Sequence, residues 1–267
     1  MVKNSRQDIE ELVGFAKDSI VALGKESLAY YGKGQNSVKF DENLVTEAEL
    51  HLVNVFEGLL EARFPEHQMF EKSKIADNYT HEDKRYLWIF DPVDGVDNFQ
   101  AGIPIWGISV ALLENFWPVF GAFHMPATGD LFHARADGKA YRGNNEIAIP
   151  ARNTVDDESI LLTYSRFHQN YTPEFPGKIR DLGCTSAHIC YVATGRADAA
   201  VIANESYQDL AAARIIVEAA GGKICMLDGC NFFLNEYLDG RRIDEHLLVV
   251  APDNFDSVRR CLATQPD

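Results

Sequence analysis

Apolar residues in the first part of the chain recur at helical spacing. Ile9, Leu12, Val13, Ala16, Ile20 and Leu23 form one stripe, which predicts an amphipathic helix over about residues 6–30. After the loop "YGKGQNSVKFDEN" the segment "TEAE" at 46–49 has the form of a capping box, and Ala48, Leu52, Phe56, Leu59 and Leu60 continue one face. This predicts a second helix reaching about Arg63, with Pro65 beyond it. From Tyr86 the pattern changes to strands: "YLWIF", "WGISVALLE", "WPVFGAFHM", "DLFHARA" and "KAYRG", separated by short turn signals that favour antiparallel neighbours. The second half alternates. Strands are predicted at "SILLTY", "DAAVIA", "KICML" and "HLLVVA", with helices over Ser186 to Thr194 and Gln208 to Ala220 that glycines terminate. The pattern therefore divides the chain into an α+β lobe over 1–150 and a smaller α/β lobe over 151–267.

The chain has 267 residues, of which 46% are hydrophobic, enough for a sizeable core. Its net charge of −15 argues against general attraction to nucleic acid or an anionic membrane, since both need basic surface. No apolar run approaches the roughly 18 residues of a membrane span, and "MVKNSRQDIEELVGF" turns acidic where a signal peptide would be apolar. The expectation is a soluble cytoplasmic protein. Five cysteines (Cys184, Cys190, Cys225, Cys230, Cys261) are odd in number and irregularly spaced, which speaks against a disulfide framework. Cys225 and Cys230 lack the second ligand pair of a zinc site.

The stretch "WIFDPVDGVDNF" carries the chemistry. Two carboxylates, Asp91 and Asp94, leave an apolar strand with Pro92 between them and Gly95 after. Acids crowded in this way repel unless a cation neutralises them, and Mg²⁺ takes oxygen ligands. Gly95 lets the backbone approach an anion, and N–H groups of a helix beginning at Val96 or Asp97 could hold phosphate. Spacing alone is equally compatible with a turn followed by a helix N-cap.

Residues 86–99 resemble the D-P-[IV]-D-G-T-x-N-F signature of the inositol monophosphatase family of magnesium-dependent, lithium-sensitive phosphatases. Other segments are similar in the same order: "NLVTEAE", "FPEHQMFEKS", "IRDLGCTSAHICYVATGRADA" and "YQDLAAARIIVEAAGG". The resemblance implies a layered αβαβα sandwich with an antiparallel N-terminal sheet, often as a homodimer. It implies that Glu71, Asp91 and the Val93 carbonyl hold one metal, and that Asp91, Asp94 and Asp209 hold a second, with two or three Mg²⁺ ions in all. Catalysis would rest on Glu71, Asp94 and Glu49, and a phosphate monoester would bind at Gly95, Val96, Gly183, Cys184 and Thr185. The implied reaction is in-line attack of a water on a small inositol or sugar phosphate.

The chain departs from that pattern where water is activated. Val96 stands where the signature has threonine, and Glu49 stands in place of aspartate. General-base assistance is worth about 10²- to 10⁴-fold, so a slow phosphatase is expected. Asp97 offers no obvious substitute and reads as a helix cap. "FEK" keeps Glu71 but has Phe70 and Lys72 around it. A family acid that contacts inositol hydroxyls corresponds to Ile202, and the family tryptophan to Tyr207. The alternative is a catalytically impaired relative that binds metal, a phosphate ligand or a protein partner. His124, His133 and His188 read as packing or surface residues rather than ligands.

Overall fold

The computed structural model describes residues 2–34, 42–70, 85–150 and 154–264. Helices α1 (Val2–Ser27) and α2 (Glu42–Arg63) form an outer layer. They cover a seven-stranded sheet of β1 (Gln68–Met69), β2 (Tyr86–Asp94), β3 (Gly107–Glu114), β4 (Trp117–Met125), β5 (Asp130–Arg135), β6 (Ala140–Arg142) and β7 (Asn145–Ile147). The strands follow in sequence order. β1 pairs parallel with β2 and every other pairing is antiparallel. A short helix, α3 (Val96–Ala101), turns the chain away from β2.

The second half supplies β8 (Ile160–Thr163), β9 (Tyr171–Pro173), β10 (Lys178–Arg180), α4 (Thr185–Ala193), β11 (Ala199–Ile202), α5 (Tyr207–Ala219), β12 (Lys223–Met226), β13 (Leu247–Val250), α6 (Phe255–Arg260) and β14 (Leu262–Thr264). Five of these strands form a mixed sheet in the order β10, β8, β11, β13, β12. β14 and β9 make a separate antiparallel pair.

The alternation of side chains along β2 sets the layers. Trp88 and Phe90 face α1 and α2, where they meet Ala16, Ile20, Leu52 and Phe56, the last stacked on Phe90 at 4.4 Å. Leu87 and Ile89 face the other way, into a core shared with α4, α5 and one face of the five-stranded sheet. The far face of that sheet, Leu161, Val201, Leu248 and Val250, is covered by Phe167, Tyr171 and Val258. The stack is helix, sheet, helix, sheet, helix, as the resemblance implied.

The predicted capping box fails. α2 begins at Glu42, so "TEAE" lies inside the helix and Glu49 is no cap partner. Leu44 and Val45 stand four and three residues before Ala48, so the apolar spacing continues upstream and the helix follows it. Glu71 and Lys72 lie outside the described residues.

Candidate active site

In an unbroken strand, side chains three residues apart point to opposite faces. The pairing of β2 with β3 slips between Asp91 and Asp94, forming a bulge at Pro92 and Val93. Asp91 and Asp94 consequently line the same cavity, together with Val93. The chain then reverses at Gly95, whose φ of 86° is left-handed. A β-carbon there would come within 3.0 Å of the Ile105 carbonyl and of the Cys184 side chain, so the position also demands the absence of a side chain.

The opposite wall comes from the second half. Gly183, Cys184 and Thr185 lead into α4, and the N–H groups of Thr185 and Ser186 donate to the two Asp94 oxygens at 3.2 and 2.5 Å. Asn98 of α3 ties the walls together, its amide donating to the carbonyls of Ile105 at 2.6 Å and Leu182 at 2.7 Å. Asp209, in the first turn of α5, accepts from the Ser206 N–H at 2.7 Å and lies 3.8 Å from the Arg242 guanidinium. Gln208, which directly precedes it, donates to the Phe90 carbonyl and anchors α5 to β2. The cavity measures about 1040 Å³.

The structure thus brings Glu49, Asp91, Val93, Asp94, Gly95, Val96, Gly183, Cys184, Thr185 and Asp209 to one cavity. Glu71 falls outside the described residues. Ile202 is fully buried in β11 and Tyr207 is buried at the start of α5, so neither lines the cavity. Sequence reasoning did not find Asp181, Glu205 and Arg242, which do. A usable signal existed for Glu205. It precedes Ser206, and S-x-x-D up to Asp209 marks a helix start directly after strand β11, where strand ends form a crevice.

Electrostatics mark the cavity as cation-hungry. Burial holds the Asp94 carboxyl above its ordinary range, with Asp209's negative charge adding to the effect against the hydrogen bonds from Ser186 and Thr185. Glu205 is pushed up to about 8, first by burial and then by the charges of Asp209 and Asp94. Positive charge brought among these groups would counter the repulsive part. The Cys184 thiol is pushed well up by burial and by Asp94, which keeps it protonated and a poor nucleophile.

All-oxygen donors, Asp91, Asp94, Asp209 and the Val93 carbonyl, suit a hard cation in kind. They do not by themselves make a finished cage. Among the described residues no group of three acidic, histidine or cysteine side chains is close enough to hold a metal ion, and Asp94 is turned toward α4.

The inositol monophosphatase family model matches residues 8–252. The chain belongs to that family. Within it, the chain is 29% identical over 215 residues to a histidinol-phosphatase from Chlorobaculum parvum, covering 77% of this chain and 81% of the relative. It is 31% identical over 208 residues to an inositol-1-monophosphatase from Caulobacter vibrioides, covering 73% and 80%. In fold it is similar to the Thermotoga maritima IMPase structure, with a TM-score of 0.76 at 23% identity over 94% of this chain and 96% of that one. No helix among the described residues is long and apolar enough to cross a membrane.

Proposed function

We propose that this member of the inositol monophosphatase family is a Mg²⁺-dependent phosphomonoesterase for a small phosphate ester of the inositol or sugar class, acting slowly. The observation that carries this reading is the β2 bulge, which delivers Asp91, the Val93 carbonyl and Asp94 to the cavity that Asp209 enters from α5. These groups, with Glu71, would hold the cations. Bound there, Mg²⁺ would supply Lewis acidity and counter-charge for the phosphate and the leaving alkoxide. The bend at Gly95 and Val96 on one side, and Gly183 to Thr185 on the other, would seat the ester between the walls. Glu49 lines the cavity and would orient water and accept its proton.

Val96 presents a hydrocarbon side chain to the same cavity, where a threonine would pass a proton. That observation supports the slow rate, and it also supports a second reading, a relative that binds metal and phosphate without turnover. The proposal extends to a cytoplasmic homodimer, which sedimentation of the purified protein would test.

The experiment is phosphate release from inositol, sugar and amino-alcohol phosphates with and without Mg²⁺, using Asp94→Asn as the blank. Mg²⁺-dependent release that the blank lacks supports the phosphatase. No release from any ester, with Mg²⁺ still bound, supports the non-catalytic reading.

A further inference from the structure

Two arginines stand side by side in the β12–β13 connection, and the fold uses them differently. Arg241 stays within its own loop, donating to Asp239 at 3.0 Å and lying over the Tyr237 ring at 4.7 Å. Arg242 reaches out of the loop and lines the candidate site.

The backbone sets its placement. Ile243, buried directly after it, forms an antiparallel bridge with Glu205 and donates its N–H to the Glu205 carbonyl at 2.8 Å. The Tyr237 hydroxyl donates to Glu245 at 2.8 Å and braces the connection from within. The connection is thereby held against the β11–α5 turn. In that turn Asn204 is left-handed at a φ of 62°, and its carbonyl accepts from the Arg242 guanidinium at 2.5 Å.

The same nitrogen, Nη1, lies 3.8 Å from Oδ2 of Asp209. That oxygen accepts from the Ser206 N–H, while no hydrogen bond reaches Oδ1 among the described residues. Arg242 is the one lysine or arginine lining the cavity among the described residues, and the carboxylate it faces is one of those proposed to hold a cation. A guanidinium and a divalent cation at one carboxylate are like charges a few ångströms apart, so each weakens the other's hold. The ion pair is also loose. The Arg242 side chain is 58% exposed and the separation exceeds a hydrogen bond, so the arginine opposes a cation without excluding it.

We infer that Arg242 is a tethered counter-ion of Asp209 that competes with the cation there and so sets how much Mg²⁺ the site needs before it fills. This rests on the phosphomonoesterase reading and adds to that site a residue that regulates its loading. Arg242 acts through Asp209, as a positioning residue. The sign of its effect separates this role from a structural one. An arginine that only pinned the β11–α5 turn would, when removed, loosen Asp209 and weaken cation binding. A competitor, when removed, strengthens it.

The test is a calorimetric titration of Mg²⁺ into the full chain, as wild type, Arg242→Gln and Arg242→Lys, at low and high ionic strength. Thermal melting shows that the variants are folded. At low ionic strength Arg242→Gln is expected to bind Mg²⁺ about three- to tenfold more tightly than the wild type. Arg242→Lys keeps the charge and is expected to stay within about twofold of the wild type. Salt at about 0.5 M screens exposed charges and should shrink the glutamine gain to below about twofold.

Weaker Mg²⁺ binding by Arg242→Gln overturns the inference, since that is the structural effect. A gain that Arg242→Lys shares in full overturns it too, because charge would not be its cause. Equal binding by all three proteins sinks the inference alone and leaves the phosphatase reading standing. No Mg²⁺ binding by any of them, with no ester hydrolysed, sinks that reading and the inference with it.

Discussion

The β2–α3 corner carries Asp91, Val93, Asp94, Gly95 and Val96 within six consecutive residues, whereas the facing wall draws Asp181, Thr185, Glu205 and Arg242 from three separate stretches of the chain, the β10–α4 junction, the β11–α5 turn and the β12–β13 connection. Both walls are acidic, but their acids are held differently. In the corner, a bulge and a left-handed glycine aim the side chains by local geometry. In the facing wall, position depends on contacts between segments distant in sequence: Thr185 with Glu205 and Arg242 with Asn204. The corner matches the family signature except at Val96, while Ile202, which the resemblance sets against a family acid, is buried in β11 outside the cavity. The corner is thus built locally and the facing wall by the fold as a whole.

The sharpest way to break this contrast is to remove a corner acid. Asp91→Asn is expected to lower Mg²⁺-dependent phosphate release by about 10³-fold, the several kcal/mol that metal charge supplies. Release measured under single-turnover conditions checks it, and a loss below about tenfold would show that the corner does not hold the cation.

The facing wall should fail first in acid. His188 is held down to about 4 by burial, because only its neutral ring can accept the Leu182 N–H. Its folded pKa lies below the ordinary 6.5, so its contribution is complete above pH 6.5 and is lost as pH falls toward 4. The loss is on the order of 3 kcal/mol. Thermal melting of wild type and His188→Asn across that window checks it: the wild type should lose stability on acidification more steeply than the variant. Parallel curves would remove His188 from the account.

Gly95→Ala is expected to cost about 2 kcal/mol, because alanine is strained at a φ of 86° and its methyl would press on Ile105 and Cys184. In a chain of this size that is a fall in Tm of roughly 4–8 °C, with weaker phosphate binding alongside. The gentlest probe is Val96→Thr. Restoring the hydroxyl should raise kcat by about tenfold or more while leaving KM nearly unchanged, a pattern that single-substrate kinetics reads directly. An unchanged kcat would mean that Glu49 works without it.

How much of this was legible in the sequence follows the same division. Asp91 and Asp94 announce themselves because Pro92 and Gly95 fall between and after them in one short run, and Asp209 because it opens a helix. The sheet order was partly legible, since short turns between β3, β4, β5 and β6 force antiparallel neighbours. β9, β10 and β14 were not, being three-residue strands whose pairing depends on distant partners. Thr46 and Glu49 matched a helix start but lie within α2, because a capping pattern is overridden when apolar spacing runs on through it. Arg242 carries no local signal at all. It reaches Asp209 from the connection between β12 and β13, which only the folded chain brings there.

The central claim is that the acids of the corner and of α5 form a cation site for phosphate chemistry. The most direct measurement is a calorimetric titration of Mg²⁺ into the wild type and Asp94→Asn, each with inorganic phosphate absent and then present. The account predicts saturable Mg²⁺ binding by the wild type that phosphate strengthens and that Asp94→Asn loses. Binding that Asp94→Asn leaves intact, or no binding by the wild type, would contradict it.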